Sequence, residues 1–464
     1  MRDIIKNSSS KIIVKDRELS IEGLLSEYSD LLAFLHRDLV LTVLPDDETS
    51  LELYISIMST NSACHFMPAE TPIRSIEGFI RHFQPSTIIL SDQSVDFDGY
   101  TKVFLFKSVS VWQKLAPVAL DLDPNLKLLA ATSGSMGTPK LIPQTCSNIE
   151  INTRQIAKAL YLTETDIALA SLPLSYTFGM SVVNCQLLTG GTIVAGTRDL
   201  VRRPALAALQ RHKVNLLSGV PTTVENLLRA RFFRSKYCKN NLMLLVAGGG
   251  LTSEIREQLA EESRRNNVAI YLMYGQAEAT TRISIASPKD FRDRPGSVGK
   301  PLDEMKVWIE PLPNGIEHAN LDGQIVCSGP NVCPDYVNSA TDLIKLSPRK
   351  KLHTGDLGYI DSDGYLHITG RLKHFAKIRG VSVNLVDLEQ QLNTLTQKTI
   401  VCADDENRVA IFCLSKDSDF LYRQVEQFML ELNLKDFFIN FIDEIPLLNN
   451  GKVDYRSLLL LPRT

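Results

Sequence analysis

The sequence lacks the patterns that pair cysteines or that hold a metal through protein side chains alone. Its eight cysteines include no Cys-x-x-Cys pair, and its eight histidines show no His-Glu-x-x-His spacing. The first absence fits reduced thiols in a reducing compartment, with the cytoplasm as the default. The second argues against a zinc site held by the protein.

Long apolar runs and an excess of basic charge are also missing. No stretch approaches the roughly 20 apolar residues of a membrane-spanning helix. Residues 1–20 interleave charges with single apolar residues, unlike a secretory signal. The formal net charge is -3, and the basic runs at 231–236 and 349–351 are short. We therefore expect a soluble protein with no membrane span and no nucleic-acid partner.

Short apolar runs alternate with longer amphipathic stretches, which predicts an α/β fold. At 464 residues the chain is long enough for two or more packed units. After about residue 360 the sequence pattern changes to short predicted strands separated by turn residues, with a hairpin turn expected at 361–364. The predicted strands include 128–131, 167–172, 214–217 and 242–247, and the predicted helices include 148–160 and 253–265.

A helix is also expected to begin at Ser418, a good N-cap residue. Its apolar side chains recur at three- and four-residue spacing, so we expect them to be part of a core. They are Phe420, Leu421, Val425, Phe428, Met429 and Leu432.

The strongest local signal is the segment from Leu128 to Lys140, an apolar strand followed by small hydroxyl residues, glycines and a lysine. Glycines let backbone N–H groups turn toward an anion, hydroxyl groups add donors, and the lysine adds a full positive charge. A flexible Ser/Gly hairpin is the alternative. The candidate phosphate ligands are Thr132, Ser133, Gly134, Ser135, Gly137 and Lys140.

This segment differs from the P-loop of nucleotide triphosphatases, in which Gly-Lys-Ser/Thr opens directly into a helix. Lys140 stands three residues after Gly137 and follows Pro139, and Pro143 comes soon after. The two prolines favour an extended segment after the loop. The expected arrangement is therefore strand, loop, strand, which weakens a kinase or GTPase hypothesis.

Further motifs follow this loop, and the ordered set resembles the acyl-adenylate-forming superfamily. That superfamily includes acyl-CoA synthetases, aryl-acid ligases, peptide-synthetase adenylation domains and firefly luciferase. Each motif alone is weak, but chance is a poor explanation for the whole series. The motifs are Leu172–Gly179, Ala247–Gly250, Tyr274–Glu278, His353–Asp356, Gly370–Lys373, Lys377–Gly380 and Asn450–Asp454.

The resemblance implies an AMP-forming acid–thiol ligase that uses ATP and Mg²⁺. A small carboxylic acid would react with ATP to form acyl-AMP and pyrophosphate, and the acyl group would pass to CoA or to the pantetheine of a carrier protein. Lys140 would hold the leaving phosphates, Glu278 would bind Mg²⁺, and Lys452 would reach the carboxylate and the α-phosphate. The remaining nucleotide contacts would be Gly248, Gly249, Gly250, Tyr274, Gly275, Gln276, Asp356 and Arg371, and the acyl pocket would include Tyr176, Val182 and Gly249.

The resemblance also implies a large AMP-binding domain at 1–372 and a small mobile α+β domain at 373–464, with Lys373 as the hinge. Met136, Ala277 and Gln324 depart from the family pattern. Met136 and Ala277 each stand where a hydroxyl residue is usual, and Gln324 stands where glutamate is common. Weaker ATP binding is therefore expected. A luciferase-like oxidation of the adenylate and a nucleotide-binding pseudoenzyme are the alternative functions.

Overall fold

The chain divides into two units by its internal contacts, and each is described by itself. The first unit comprises Met1–Lys306 and Cys327–Leu352, and the second comprises Val307–Val326 and His353–Thr464. The structure is a computed structural model, and it describes residues 1–35, 38–45, 47–91, 95–116, 121–131, 141–196, 199–238, 241–311, 323–372, 375–378, 381–405, 408–415, 419–432, 434–447 and 453–462.

Strands and helices alternate along most of the first unit, as the sequence predicts. The strands are β1 Lys11–Val14, β2 Arg17–Ser20, β3 Leu39–Val43, β4 Ala63–Met67, β5 Thr87–Leu90, β6 Tyr100–Phe106, β7 Val109–Lys114, β8 Leu126–Ala131, β9 Leu141–Thr145, β10 Ile167–Ala170, β11 Thr192–Ala195, β12 Leu216–Gly219, β13 Met243–Val246, β14 Ala269–Tyr274, β15 Ser284–Ala286, β16 Lys300–Pro301, β17 Lys306–Glu310, β18 Gly323–Ser328, β19 Leu352–Ile360, β20 Leu366–Arg371, β21 Phe375–Ile378, β22 Val381–Asn384, β23 Ile400–Asp405, β24 Arg408–Leu414 and β25 Phe437–Ile442.

The helices begin at residues that suit helix starts. Thr145 caps α6 through a reciprocal capping box with Asn148, and Pro221 occupies the first position of α9. The α-helices are α1 Arg2–Lys6, α2 Ile21–Glu27, α3 Ser29–Ala33, α4 Thr49–Met58, α5 Ile73–Phe83, α6 Cys146–Ala159, α7 Thr177–Thr189, α8 Arg203–Arg211, α9 Pro221–Arg229, α10 Ser253–Asn266, α11 Pro288–Asp293, α12 Leu385–Thr396, α13 Asp419–Glu431 and α14 Tyr455–Leu459. Short 3₁₀ helices cover Phe232–Arg234, Ala277–Ala279 and Ala340–Leu343.

Two sheets organise the first unit. The nine-stranded sheet has the order β16-β15-β14-β13-β12-β10-β11-β1-β2, and the seven-stranded sheet has the order β6-β7-β5-β3-β4-β8-β9. In the nine-stranded sheet β10, β11, β12, β13 and β14 run parallel. Their side chains are mostly buried, as is usual for parallel strands covered on both faces.

The glycine-rich segment joins two antiparallel strands, which confirms the predicted strand–loop–strand arrangement. Ala131, the last residue of β8, pairs with Leu141, the first residue of β9. α6 begins only after β9 has ended. The geometry therefore differs from a P-loop, in which the helix follows the loop directly.

The second unit contains three smaller sheets. The first has the order β17-β18-β19-β20, the second pairs β21 with β22, and the third has the order β23-β24-β25. The turn between β19 and β20 lies at the predicted hairpin position, where Gly364 has φ +84° and its N–H donates to the Asp361 carbonyl. Such a positive φ favours glycine.

Helix α13 confirms four residues of the predicted apolar stripe and corrects two, and the predicted cap Ser418 lies outside the described residues. Phe428 is partly buried against the core of the second unit. Leu421, Val425 and Met429 are buried in the core of the second unit, but Phe420 is 70% exposed and Leu432 is 44% exposed. Phe420 lies about 100° around the helix from Leu421, and Leu432 follows the last helical residue. Among the described residues no helix is long and apolar enough to span a membrane.

Candidate active site

The motifs of the first unit lie where neighbouring parallel strands end. β10, β12, β13 and β14 are adjacent and parallel, so the segments that follow them emerge at the same edge of the sheet. Gly248, Gly249 and Gly250 follow β13, and Gly275 and Gln276 follow β14, whose last residue is Tyr274. Open α/β sheets bind ligands at this carboxyl edge.

The loop after β14 is closely packed against its own return. A Cβ atom at Gly275 would lie 2.2 Å from the Thr281 carbonyl oxygen and 2.6 Å from the Arg282 Cα atom. Beyond the loop, Tyr274 pairs with Ser284 of the antiparallel strand β15. Glycine at position 275 therefore permits the turn that presents Glu278.

Glu278 lies in the 3₁₀ helix of this loop and is 9% exposed. The Tyr336 hydroxyl donates a hydrogen bond of 2.6 Å to its Oε1 atom. The Arg349 guanidinium lies 5.1 Å from the centre of the Tyr336 ring. Burial and the neighbouring carboxylate raise the pKa of Tyr336, so the phenol keeps its proton and remains a donor.

The strands β8 and β9, which form the stem of the glycine-rich segment, are attached to the loop that carries Glu278. The Gln144 Nε2 atom on β9 donates to the carbonyl oxygens of Ala277 and Thr280, each at 3.0 Å. Ala130 and Ile142, which face each other across the hairpin, pack in one apolar cluster with Ala277. The two strands that flank residues 132–140 are thus held beside the candidate metal ligand.

Ala277, one of the two departures that remove a hydroxyl group, contributes to this attachment. Its cluster also contains Cys333, and Tyr336 packs against it. The small apolar side chain of Ala277 packs against these apolar neighbours. This packing explains the absence of a hydroxyl group at position 277. Met136, the other departure, lies outside the described residues.

The predicted acyl-pocket segment ends in helix α7. Tyr176 is the residue before the helix, and Gly179 allows a close approach, since a Cβ there would lie 2.4 Å from the Pro173 carbonyl oxygen. Val182 is buried on α7 and lines a narrow cavity together with Arg282. Gly249 lies against Pro221 at the sheet edge.

In the second unit the structure brings Asp356 and Arg371 together. They face each other across β19 and β20, and the Arg371 Nε atom donates to the Asp356 Oδ1 atom at 2.5 Å. Asp356 is 3% exposed, and its backbone N–H donates to Thr354 Oγ1. The two predicted nucleotide contacts therefore form an oriented pair, in which Asp356 is buried and Arg371 is exposed.

Several predicted site residues lie outside the described part of the chain, so their roles stay predictions. They are Thr132, Ser133, Gly134, Ser135, Gly137, Lys140, Lys373 and Lys452.

Three further residues of this region escape sequence reasoning. Tyr336 lies 58 residues after Glu278 and Gln144 lies 134 residues before it, yet both contact the Glu278 loop. Neither residue stands in a recognisable motif. Arg282 stands four residues after Glu278, and its charge in the otherwise uncharged run 279–288 is the signal that was available.

Comparison with known proteins gives one family. Residues 33–337 match the AMP-binding enzyme family. The chain is 28% identical over 315 residues to the 2-succinylbenzoate–CoA ligase of Bacillus subtilis (strain 168), which covers 66% of this chain and 62% of that ligase. It thus spans about three fifths of that relative. It is also 27% identical over 394 residues to the luciferin 4-monooxygenase of Nipponoluciola cruciata, covering 80% and 71%.

Solved structures share the fold over nearly the whole chain. The O-succinylbenzoate Coenzyme A synthetase (MenE) of Bacillus subtilis in complex with AMP gives a TM-score of 0.76 at 20% identity, covering 99% of this chain and 98% of that one. ATP-bound MatB of Rhodopseudomonas palustris gives 0.73 at 17% identity, with the same coverage. The predicted architecture, a large α/β amino-terminal part followed by a smaller carboxy-terminal part, is confirmed.

Proposed function

The chain belongs to the AMP-binding enzyme family, the acyl-adenylate-forming superfamily that its motifs resemble, and on this premise we propose that it is an AMP-forming acid–thiol ligase. It joins an organic acid to AMP and then transfers the acyl group to a thiol. The observation that carries this proposal is the attachment of the β8–β9 stem to the Glu278 loop through Gln144. This attachment supports a site in which the phosphate groups and the metal ion bind next to each other.

In the first half-reaction a carboxylate oxygen bonds to the α-phosphorus of ATP. The bond from that phosphorus to the bridging oxygen breaks, and pyrophosphate leaves with the electron pair. Two anions approach each other, so positioning and neutralisation of charge dominate catalysis. We assign Lys140 and the backbone of 132–137 to the leaving phosphates, and Lys452 to the carboxylate and the α-phosphate.

The residues near Glu278 fit a magnesium ion that arrives with the nucleotide. Mg²⁺ is usually held by one or two carboxylates together with substrate phosphates. The described residues contain no cluster of three or more His, Cys, Asp or Glu side chains able to hold a metal, whereas Glu278 offers one oriented carboxylate. The ion would neutralise phosphate charge. The chain itself orients the carboxylate through Tyr336.

Asp356 is the proposed acceptor for the ribose hydroxyl groups. Arg371 holds one of its carboxylate oxygens in place, which would pre-orient the group for hydrogen bonding. Tyr274, at the end of β14, is proposed to face the adenine, and Gly248 to Gly250 would allow backbone to approach it.

For the second half-reaction we propose CoA as the acceptor. The ligase relatives are named as CoA ligases, which supports CoA over a carrier protein. The thiolate would attack the acyl carbonyl carbon and expel AMP. A swivel at Lys373 would move Lys452 away before this step. The expected cytoplasmic location of the reaction stays a prediction.

Two variants test this division of labour. Lys452→Ala should lower acid-dependent exchange of pyrophosphate into ATP by on the order of a hundredfold or more, corresponding to roughly 3–4 kcal/mol of transition-state stabilisation. The variant should still convert a supplied acyl-adenylate and CoA to acyl-CoA. Lys373→Pro should do the reverse. Lys398→Ala, an exposed lysine of the same unit, is the control, and equal loss of both half-reactions in Lys452→Ala would refute the assignment.

The alternatives predict different products. A luciferase-like monooxygenase, suggested by the luciferin 4-monooxygenase relative, would consume O₂ and release CO₂ and light. A nucleotide-binding pseudoenzyme would bind ATP without releasing pyrophosphate. Incubation with ATP, Mg²⁺ and pooled carboxylic acids, with mass identification of the bound acyl-adenylate, separates all three.

A further inference from the structure

Arg282 is a buried charge without a carboxylate partner among the described residues. Its side chain is 4% exposed, and its Nη1 atom donates to the Thr281 carbonyl oxygen at 3.1 Å. Its Nε and Nη2 atoms are buried and make no hydrogen bond. Burial lowers the pKa of this guanidinium to about 9, still above neutral pH. A buried charge that lacks partners is costly to the fold, so it points to a ligand that supplies them.

The two unsatisfied atoms form one edge of the guanidinium. Nε and Nη2 present parallel N–H groups on the same side of the planar group, which matches the two oxygens of a carboxylate. The same edge binds a carboxylate elsewhere in the chain, where the Nε and Nη2 atoms of Arg234 both donate to Glu262 Oε1. A carboxylate is therefore the partner that would satisfy the Nε and Nη2 atoms of Arg282.

The surroundings of Arg282 belong to the proposed acyl pocket. The Phe178 ring lies 4.2 Å from the guanidinium carbon, so its face supports the cation. A narrow cavity, with room for about one water molecule, is lined by Arg282, Phe178, Val182 and Cys185, among others. Burial raises the pKa of the Cys185 thiol to about 12, so this cysteine is neutral and supplies no countercharge.

A second cavity lies beside the first and is lined by residues next to the loop of Glu278. It is equally narrow and shares Ile156 and Ser181 with the first cavity. Its other walls include Gln144 and Thr280, which contact each other beside Glu278. Of the described residues that line either cavity, Arg282 alone is charged. An acid admitted between these walls, whose side chains would have to move apart, would have one end near the nucleotide loop and the other at the arginine.

Resting on the proposed function, we propose that Arg282 binds a second carboxylate at the far end of the acyl substrate, so that the acid activated is a dicarboxylic acid. The carboxylate to be adenylated lies toward Gln144 and Thr280, and the other pairs with Nε and Nη2 of Arg282. The walls of the first cavity are mostly apolar, but Arg282 gives it a cationic end.

The test compares acids of equal length that differ by one charge. Short dicarboxylic acids and their monomethyl esters are assayed by pyrophosphate–ATP exchange. For the best diacid, kcat/KM should exceed that of its monoester by on the order of a hundredfold or more, because the ester leaves the buried cation unpaired. In Arg282→Met the preference should disappear through loss of the diacid's activity, while Arg282→Lys should retain part of it.

Arg256→Met is the matched control, because Arg256 is a partly buried arginine of the same unit outside both cavities. It should keep the diacid preference. Circular dichroism and thermal melting identify a variant that fails to fold, in which case Arg282→Lys carries the comparison. Equal use of diacids and monoesters by the wild type, or an unchanged preference in a folded Arg282 variant, overturns the inference and leaves the ligase proposal standing. If no acid supports exchange, both proposals fail.

Discussion

The hydrogen bond from Tyr336 to Glu278 offers a specific test of the metal site. Tyr336→Phe removes only the hydroxyl group and keeps the ring, which packs against the Ala130–Ile142 cluster. The lost bond is short, 2.6 Å, and its acceptor is a carboxylate only 9% exposed. Water therefore cannot fully replace the donor.

The expected magnitude follows from the type of bond. A hydrogen bond to a charged group contributes roughly 1.5–3 kcal/mol, which corresponds to about a 10- to 150-fold change in an equilibrium constant. Removing an outer partner of a metal ligand typically weakens metal binding by about 10- to 100-fold. We expect the Mg²⁺ concentration at half-maximal pyrophosphate–ATP exchange to rise by on the order of tenfold or more.

The control is a second tyrosine–glutamate pair away from this site. Tyr28 donates to Glu52 Oε2 at 2.7 Å, and both residues are buried. Tyr28→Phe should lower stability without changing the Mg²⁺ requirement. If Tyr336→Phe behaved like Tyr28→Phe, with reduced stability and unchanged Mg²⁺ dependence, Glu278 would not be the metal ligand.

Three further predictions concern stability, measured by urea unfolding. Gly275→Ala should cost roughly 1–3 kcal/mol, because its Cβ would meet the Thr281 backbone, whereas Gly250→Ala, with no neighbour within 4 Å, should cost less; equal costs would contradict the close packing. Burial lowers the pKa of His65 to about 4, so the unfolded chain gains a proton near pH 6.5 before the folded one does. The free energy of unfolding of the wild type should therefore fall by up to roughly 3 kcal/mol relative to His65→Gln as the pH falls from 6.5 to 4. Burial raises the pKa of Glu389 to about 7, so on raising the pH the folded chain keeps this proton longer than the unfolded chain does. The free energy of unfolding of the wild type should therefore fall by up to roughly 3 kcal/mol relative to Glu389→Gln as the pH rises from 4.5 to 7. A pH-independent difference between wild type and variant would refute either assignment.

Local signals predicted the stem of the site well. The prolines after the glycine-rich segment predicted an extended strand, and β9 is that strand. Apolar runs predicted the parallel strands to within two or three residues at each end, as with 214–217 against Leu216–Gly219. Both features depend on neighbouring residues, so a single sequence contains the necessary information.

The side-chain partners of the site were not predictable in this way. Tyr336 meets Glu278, and Gln144 meets Ala277, only after two sheets and a distant segment have packed together. Likewise, periodicity placed Phe420 in the core, although its direction on α13 leaves it exposed. Such contacts depend on tertiary packing, which spacing along the chain does not specify.

The two hydrogen bonds of Gln144 have a thermodynamic consequence for ligand binding. One amide group restrains the carbonyl oxygens on both sides of Glu278 and is itself part of the strand that leaves the glycine-rich segment. A ligand that restrains either segment lowers the entropy that the other must lose. Nucleotide and metal should therefore bind with positive cooperativity even without a change of shape, and by linkage each should raise the affinity of the other by the same factor.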